Sequence, residues 1–315
     1  MGPVHHEAVQ PDLWIPARTP QPRRDALETI ASLNEYPPPD PRPERFGRGD
    51  MLVADHDVTT AIEAISRIDG LRVVQTMSAG VDRIVDLIPA GITLCDASGV
   101  HDVGVAEWIV MAILASNRRL PQLIEAQQRG SWRHGEAARG DDLDGSRLLV
   151  LGYGSIGRAV EERLRSFGVA VDRVARRERE GVHPLADLPA LIPSADILVV
   201  LLPLTLETRG FVGPEILSLM KSGSLLVNAS RGAVVDTAAL MAALADGRIR
   251  AAVDVTDPEP LPDGHPLWSM PGVLITPHVA GDVSHEEDRA WALVADQVGR
   301  LARGEPLRNV VTDGY

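Results

Sequence analysis

Along this chain, short apolar runs alternate with segments in which apolar residues recur at helical spacing, so strands and helices are expected in turn. Before residue 101 the runs predict strands at 13–16, 51–54, 71–77 and 93–97, and the spaced segments predict helical turns at 25–32, 59–68 and 84–88. Segment 34–49, with Pro37-Pro38-Pro39, reads as an irregular surface connection, and Ser78-Ala79-Gly80-Val81-Asp82 as a glycine-bearing turn after a strand. Segment 103–117 is apolar almost throughout, with Glu107 the exception, which predicts a helix buried between layers, domains or subunits. Segment 122–144 is polar, carries Gly130, Gly135, Gly140 and a central Trp132, and reads as an extended connection or arm.

From Gly145 the alternation becomes regular. Strands are expected at 148–151, 169–174, 197–201, 224–228, 251–255 and 273–276, with helices at 158–167, 185–191, 214–219 and 237–246. Strands joined by helices of this length predict a doubly wound parallel sheet, an α/β fold. Segment 148–168 organises it: an apolar run enters Gly152-x-Gly154-x-x-Gly157, and the residue types of a helix follow. Glycines there permit a tight turn whose amides face a pyrophosphate, although the stretch alone also fits a structural turn of another α/β domain. A long helix at 284–303 closes the chain and is a candidate for packing back on the first domain. The expected division is 1–101 with 285–315 against 102–284.

A length of 315 residues suits two domains, and a 44% hydrophobic share with few aromatics suits an α/β enzyme. The net charge of −13 argues against nucleic-acid or anionic-membrane partners, since the densest basic patch, 173–179, is short. One cysteine, Cys95, precludes an intramolecular disulfide, fits the reducing cytoplasm and reads as a small buried hydrophobe. No apolar run reaches the roughly 18 residues that cross a membrane. The first residues, with His5-His6, lack the basic and apolar regions of a signal peptide.

Ligands of such sheets bind beyond the carboxyl ends of the strands. Three predicted strand ends deliver polar groups there: Ser230-Arg231-Gly232, Asp254 with Asp257-Pro258-Glu259-Pro260, and Pro277-His278. An imidazole moves a proton near neutral pH, a carboxylate orients it, and a guanidinium grips a carboxylate with two prongs. Each also has a plain structural counterpart as a solvated arginine, a turn glutamate or a capping histidine. No metal site is expected, because His265, His278 and His285 lack a ligand pattern and His5-His6 is isolated; His134 reads as solvated.

These motifs, with Leu202-Pro203-Leu204-Thr205 through Thr208-Arg209-Gly210, Asn228-Ala229-Ser230-Arg231-Gly232 and Thr276-Pro277-His278, resemble those of the D-isomer-specific 2-hydroxy-acid dehydrogenases from about residue 51 to 310. The resemblance implies a flavodoxin-like substrate domain with a cofactor domain inserted, and a homodimer in which the cofactor domains and the arm near Trp132 take part. It implies hydride transfer between NAD(P)H and a small 2-oxo or 2-hydroxy acid such as glyoxylate, hydroxypyruvate or pyruvate. The alternatives are a relative acting on phosphite or formate, and a nucleotide-sensing protein that kept the fold. Intact Arg231, Glu259 and His278 argue against the latter.

By the same resemblance, His278 is the acid/base, Glu259 its carboxylate partner, and Arg231 the group that orients the 2-oxo acid. The amides of Ala79, Gly80 and Val81 match a site for the substrate carboxylate, which suits a turn of consecutive N–H groups. Gly152, Gly154, Ser155, Ile156 and Gly157 fall on the pyrophosphate loop and Asp254 near the nicotinamide carboxamide. Leu202, Pro203, Thr208, Ala229 and Gly281 join Arg231 and His278 among the cofactor contacts. Where an NAD-preferring member ends its second strand with an acidic residue, this chain has Ala175 followed by Arg176 and Arg177, which favours NADP. Asp172 would support NAD if it were the aligned residue. His101-Asp102 either shapes the substrate pocket or caps the long helix through Asp102.

Overall fold

The computed structural model describes residues 10–38, 44–55 and 57–312. His5-His6 and Pro39 lie outside them. The chain divides into two compact units, Met1–His101 with Ser284–Tyr315, and Asp102–Val283.

The first unit runs β1 (Asp12–Pro16), α1 (Gln21–Glu28), β2 (Ser32–Tyr36), β3 (Gly47–Arg48), β4 (Met51–Ala54), α2 (Val58–Arg67), β5 (Ile68–Asp69), β6 (Val73–Thr76) and β7 (Thr93–Cys95). Its main sheet is parallel with the order β2-β1-β4-β6-β7, which is the flavodoxin-like winding, and β3 pairs with β5 apart from it. Strands β4 and β6 are buried at every position, as a sheet covered on both faces demands. Asp57 accepts a bond from the Thr60 amide and so starts α2.

Three expectations need correction here. Part of the supposed irregular connection is β2, an edge strand whose polar sequence hides it; its end is anchored by Tyr36, which is buried and donates its hydroxyl to Val53 O at 2.6 Å. Helix α1 begins at Gln21 rather than residue 25, because Pro22 sits in the first turn, where its missing N–H has no partner to lose. The turns at 84–88 reduce to a single 3₁₀ turn, Val85–Leu87.

The second unit contains α3 (Asp102–Asn117), α4 (Leu120–Gln128), β8 (Arg147–Leu151), α5 (Ser155–Leu164), β9 (Ala170–Ala175), β10 (His183–Pro184), α6 (Leu188–Leu191), β11 (Ile197–Val200), α7 (Pro214–Leu219), β12 (Leu225–Asn228), α8 (Thr237–Ala245), β13 (Arg250–Val253) and β14 (Val273–Ile275). The parallel sheet has the order β10-β9-β8-β11-β12-β13-β14, so the winding reverses between β8 and β11 and opens a crevice at their carboxyl ends. The doubly wound expectation holds, with β10 as a short seventh strand that two residues were too few to reveal. Helix α3 lies on one face of this sheet, packing Ala106, Ile109 and Ile113 with Leu148, Val150 and Val160. The expected arm is helical over α4, again with a proline in the first turn, and Gly130 at φ +63° follows its end.

Helix α9 (Glu286–Arg303) belongs to the first unit, where Ala290, Trp291, Val294 and Val298 join Leu13, Ile15, Met51 and Val53 in one core. Acidic residues fill its first turn and Arg300 and Arg303 its last, matching the helix dipole. The chain then returns along β7 in antiparallel sense, with Asp96 N donating to Asn309 O and Val311 N to Leu94 O. Cys95 is fully buried there, and burial pushes its thiol up to about 11, so it stays protonated and inert. No helix among the described residues is long and apolar enough to cross a membrane.

The tail is fastened by two fully buried amides. Gln297 Nε2 donates to Gln75 Oε1 at 2.8 Å and to Arg308 O at 2.9 Å, while Gln297 Oε1 accepts from Arg308 N. Gln75 Nε2 donates onward to Thr76 O and Asp96 O. Gln297→Leu strands these partners, so a loss of about 1–3 kcal/mol in unfolding free energy is expected. Urea denaturation checks it, and a change below about 0.5 kcal/mol, the range of neutral surface substitutions, would contradict the role of the pair.

Candidate active site

The crevice of the second unit begins at the glycine turn. Gly152 takes φ +99°, and a Cβ on it would fall 2.6 Å from the main chain of Leu201, so only glycine passes. Helix α5 starts at Ser155, three residues earlier than expected, with Gly154 as its N-cap and no side-chain cap. A Cβ built on Gly154 meets nothing within 4 Å. The first amides of a helix have no carbonyl partner within it, so Ser155, Ile156 and Gly157 stand at the positive end of α5, the kind of helix start that favours an anion. Ser155 Oγ donates to Asp102 Oδ1 at 3.0 Å, so Asp102, at the start of α3, is tied to this turn.

Ala175 ends β9, and Arg176 and Arg177 follow it on the surface. Gly152 N and Tyr153 N both donate to Val174 O, which sets this strand end directly beside the glycine turn. Asp172 instead sits within β9 opposite Leu149, and Arg147 Nη1 donates to its carboxylate at 3.0 Å.

Three neighbouring strands supply the remaining polar groups. At the end of β12, buried Asn228 accepts from Ser230 N and Ser230 Oγ and donates to Arg231 O at 3.1 Å, shaping the loop that carries Arg231. Arg231 Nη1 donates to Ser230 O. Gly232 follows, and a Cβ on it would fall 1.9 Å from Thr256 O, so this loop rests on the main chain leading to Glu259.

Beyond β13, Asp254 is 3% exposed and fully engaged. Its Oδ1 accepts from Thr276 Oγ1 at 2.5 Å and Val279 N at 3.0 Å, and its Oδ2 from Ala280 N at 2.9 Å. His278 N donates to Asp254 O at 2.7 Å. These bonds wrap the segment after β14 around one carboxylate and hold His278 at φ +57°, a left-handed conformation that a side chain adopts only under constraint. His278 Nδ1 lies 2.6 Å from Glu259 Oε1. With Nδ1 occupied in this way, Nε2 is the ring atom left to exchange a proton with a ligand.

The other expected residues divide between loop structure and surface. Thr208 Oγ1 donates to Pro203 O at 2.6 Å and accepts from Thr205 N, closing its own loop; Leu202 is buried and Pro203 exposed. Ala229 and Gly281 are half-buried. In the first unit, the turn of Ala79, Gly80 and Val81 follows β6, and Gly80 N donates to Ser78 Oγ at 3.2 Å. His101 Nε2 lies 3.2 Å from Met77 O and Nδ1 3.8 Å from Glu286 Oε1. Among the described residues no cluster of three metal-ligating side chains forms, and His265 accepts from Leu267 N. The organising parts played by Asn228 and Tyr153 escaped sequence reading, although both lie inside quoted motifs.

The family model for the D-isomer specific 2-hydroxyacid dehydrogenase NAD binding domain matches residues 110–280. D-3-phosphoglycerate dehydrogenase of Methanocaldococcus jannaschii is 34% identical over 85% of this chain; the chain spans 52% of that protein, about half its length. Human glyoxylate reductase/hydroxypyruvate reductase is 33% identical, with 81% of each chain covered. A D-isomer specific 2-hydroxyacid dehydrogenase from Xanthobacter autotrophicus, crystallised with NADPH and MES, superposes with a TM-score of 0.81 at 29% identity, covering 96% of this chain and 98% of its own. Sequence, winding and strand-end residues thus agree, and the chain belongs to the D-isomer specific 2-hydroxyacid dehydrogenase family.

Proposed function

We propose that this protein is an NAD(P)H-dependent oxidoreductase that interconverts a small 2-oxo acid and its 2-hydroxy acid, in the glyoxylate and hydroxypyruvate class, and that it favours NADP. The observation that carries the reading is His278 paired with Glu259 at 2.6 Å on a loop fixed by a buried carboxylate. When bound, the nicotinamide supplies or accepts the hydride. His278 Nε2 gives a proton to the carbonyl oxygen in reduction and takes it back in oxidation, and Glu259 keeps the ring oriented and steadies its cationic form. Arg231 aligns the 2-oxo acid, and the amides of Ala79, Gly80 and Val81 take its carboxylate. Asp254 positions His278 and the cofactor-facing loop through Gly281, while Gly152, Gly154, Ser155, Ile156 and Gly157 take the pyrophosphate. Leu202, Pro203, Thr208 and Ala229 line the remainder of the cofactor site. The human relative of 33% identity is named for glyoxylate and hydroxypyruvate, which supports that substrate class.

NADP preference rests on Ala175, which leaves room at the strand end, and on Arg176 and Arg177 beside it; Asp172 is withdrawn into β9 with Arg147. The NADPH bound in the Xanthobacter structure supports the same reading. A homodimer is proposed as well. A groove of about 650 Å³ lined by Val110, Met111, Leu114, Ala115 and Leu120, with the ion pair of Glu107 and Arg163 at its rim, offers an apolar face that a second copy can cover. Trp132, 91% exposed, is then covered by that copy. A single inert cysteine fits operation in the cytoplasm.

His278→Asn is expected to lower kcat by about 10²- to 10⁴-fold, the usual contribution of a general acid, while cofactor affinity in a fluorescence titration stays near the parent value. Near-parental turnover removes His278 from the chemistry. Replacing Arg176 and Arg177 by Ala together lowers kcat/KM for NADPH by roughly tenfold or more and leaves NADH little changed, with the difference shrinking as salt rises. A parent that prefers NADH contradicts the assignment. Met111→Asp shifts the sedimentation coefficient from dimer to monomer; a parent that sediments as a monomer refutes the dimer.

A further inference from the structure

Tyr153 stands between Gly152 and Gly154 in the glycine turn, yet its side chain and carbonyl are used by residues of another segment. Two guanidiniums flank its ring, Arg173 at 5.6 Å and Arg179 at 5.8 Å from the centroid. Its hydroxyl donates to Glu161 Oε2 at 2.5 Å, and Arg173 Nε donates to the same oxygen at 2.7 Å. The hydrogen bond from Arg173 holds the Glu161 carboxyl below its usual range, so this pair stays charged at neutral pH. Arg179 Nη2 donates to Tyr153 O.

The segment after β9 is therefore pinned where it returns. Val182 N donates to Arg179 O at 2.8 Å and Arg179 N to Val182 O at 3.4 Å, across a turn that Gly181 makes at φ +70°. Arg173 Nη1 reaches Gly181 O at 3.4 Å. At its start the segment is held by Val174 O, which takes the amides of Gly152 and Tyr153. Arg176 and Arg177 lie between these two anchors. Long cationic side chains on a surface loop lose conformational entropy when they grip a ligand, and a loop already held in place loses less.

We propose that Arg179 is a positioning residue for cofactor discrimination, bracketing segment 176–181 onto the glycine turn through the ring and carbonyl of Tyr153. The proposal rests on the assignment of Arg176 and Arg177 to the 2′-phosphate. The pyrophosphate turn serves NADPH and NADH alike and is also held without Arg179, by the bonds of Gly152 N and Tyr153 N to Val174 O, whereas Arg176 and Arg177 on the bracketed segment are the residues assigned to the phosphate that distinguishes the cofactors. Loosening the bracket therefore acts on one cofactor. Arg179 bonds the carbonyl and lays a flat guanidinium over the ring at once, a combination that the compact, strongly hydrated ammonium of lysine replaces poorly. Loss of a direct phosphate ligand, in contrast, would raise KM for NADPH without changing amide exchange over 176–182 in the free enzyme.

The test measures kcat and KM for NADPH and NADH with glyoxylate in the parent, Arg179→Ala, Arg179→Lys and Tyr153→Phe, together with amide hydrogen exchange over 176–182. Arg179→Ala is expected to raise KM for NADPH about tenfold with kcat and the NADH constants unchanged, the scale of a lost preorganisation. Arg179→Lys behaves like Arg179→Ala, and Tyr153→Phe, which keeps ring and carbonyl, behaves like the parent. Exchange over 176–182 quickens in both Arg179 variants. Full rescue by lysine, or an unchanged NADPH constant in Arg179→Ala, overturns the positioning role. A parent that prefers NADH overturns the 2′-phosphate assignment and the discriminating role with it; exchange then decides whether the bracket exists, since equal protection in parent and Arg179→Ala refutes it.

Discussion

The second unit turns on one buried carboxylate. Among the described residues Asp254 forms no ion pair; it is satisfied by a hydroxyl and two main-chain amides of the segment after β14. Burying a carboxylate without such donors costs several kcal/mol, so the segment must fold around it to make the site stable at all. The left-handed backbone of His278 is one result, and the direction of its ring toward Glu259 is another. A residue that does not touch the imidazole thus decides where the imidazole sits.

Parallel winding does the rest. Arg231, Asp254 and His278 follow β12, β13 and β14, which are consecutive neighbours in the sheet, and neighbouring strands lie about 4.8 Å apart. Residues far apart in sequence therefore arrive at one edge in chain order. The contact of Gly232 with the main chain at Thr256 locks two of these loops together, so the arginine and the glutamate cannot shift independently.

What could be read from the sequence follows the same physics. Strands such as β4 and β11 are buried at every position and appear as uninterrupted apolar runs. The polar β2 and the two-residue β10 gave no such signal, because an edge strand needs only main-chain pairing. Pro22 and Pro121 stand in first turns, where a missing N–H is tolerated, so α1 and α4 begin before the segments whose residue spacing suggested structure. At the site, Arg231, Glu259 and His278 were visible as chemistry-bearing residues at predicted strand ends. The work of Asn228, Tyr153 and Asp102 was not, since each acts by hydrogen bonds or ring contacts that only the folded chain brings together.

The return of the chain along β7 has a consequence for how the first unit behaves in a crowded solution. A parallel sheet ends in rows of unpaired amides and carbonyls that another chain can extend. Residues 309–311 occupy that row on one side. On the other side β2 is only five residues long and bears Glu35, ion-paired with Arg24. Both margins are thus poor templates for a foreign strand, and residues 309–311 guard the sheet against edge-to-edge aggregation on the β7 side.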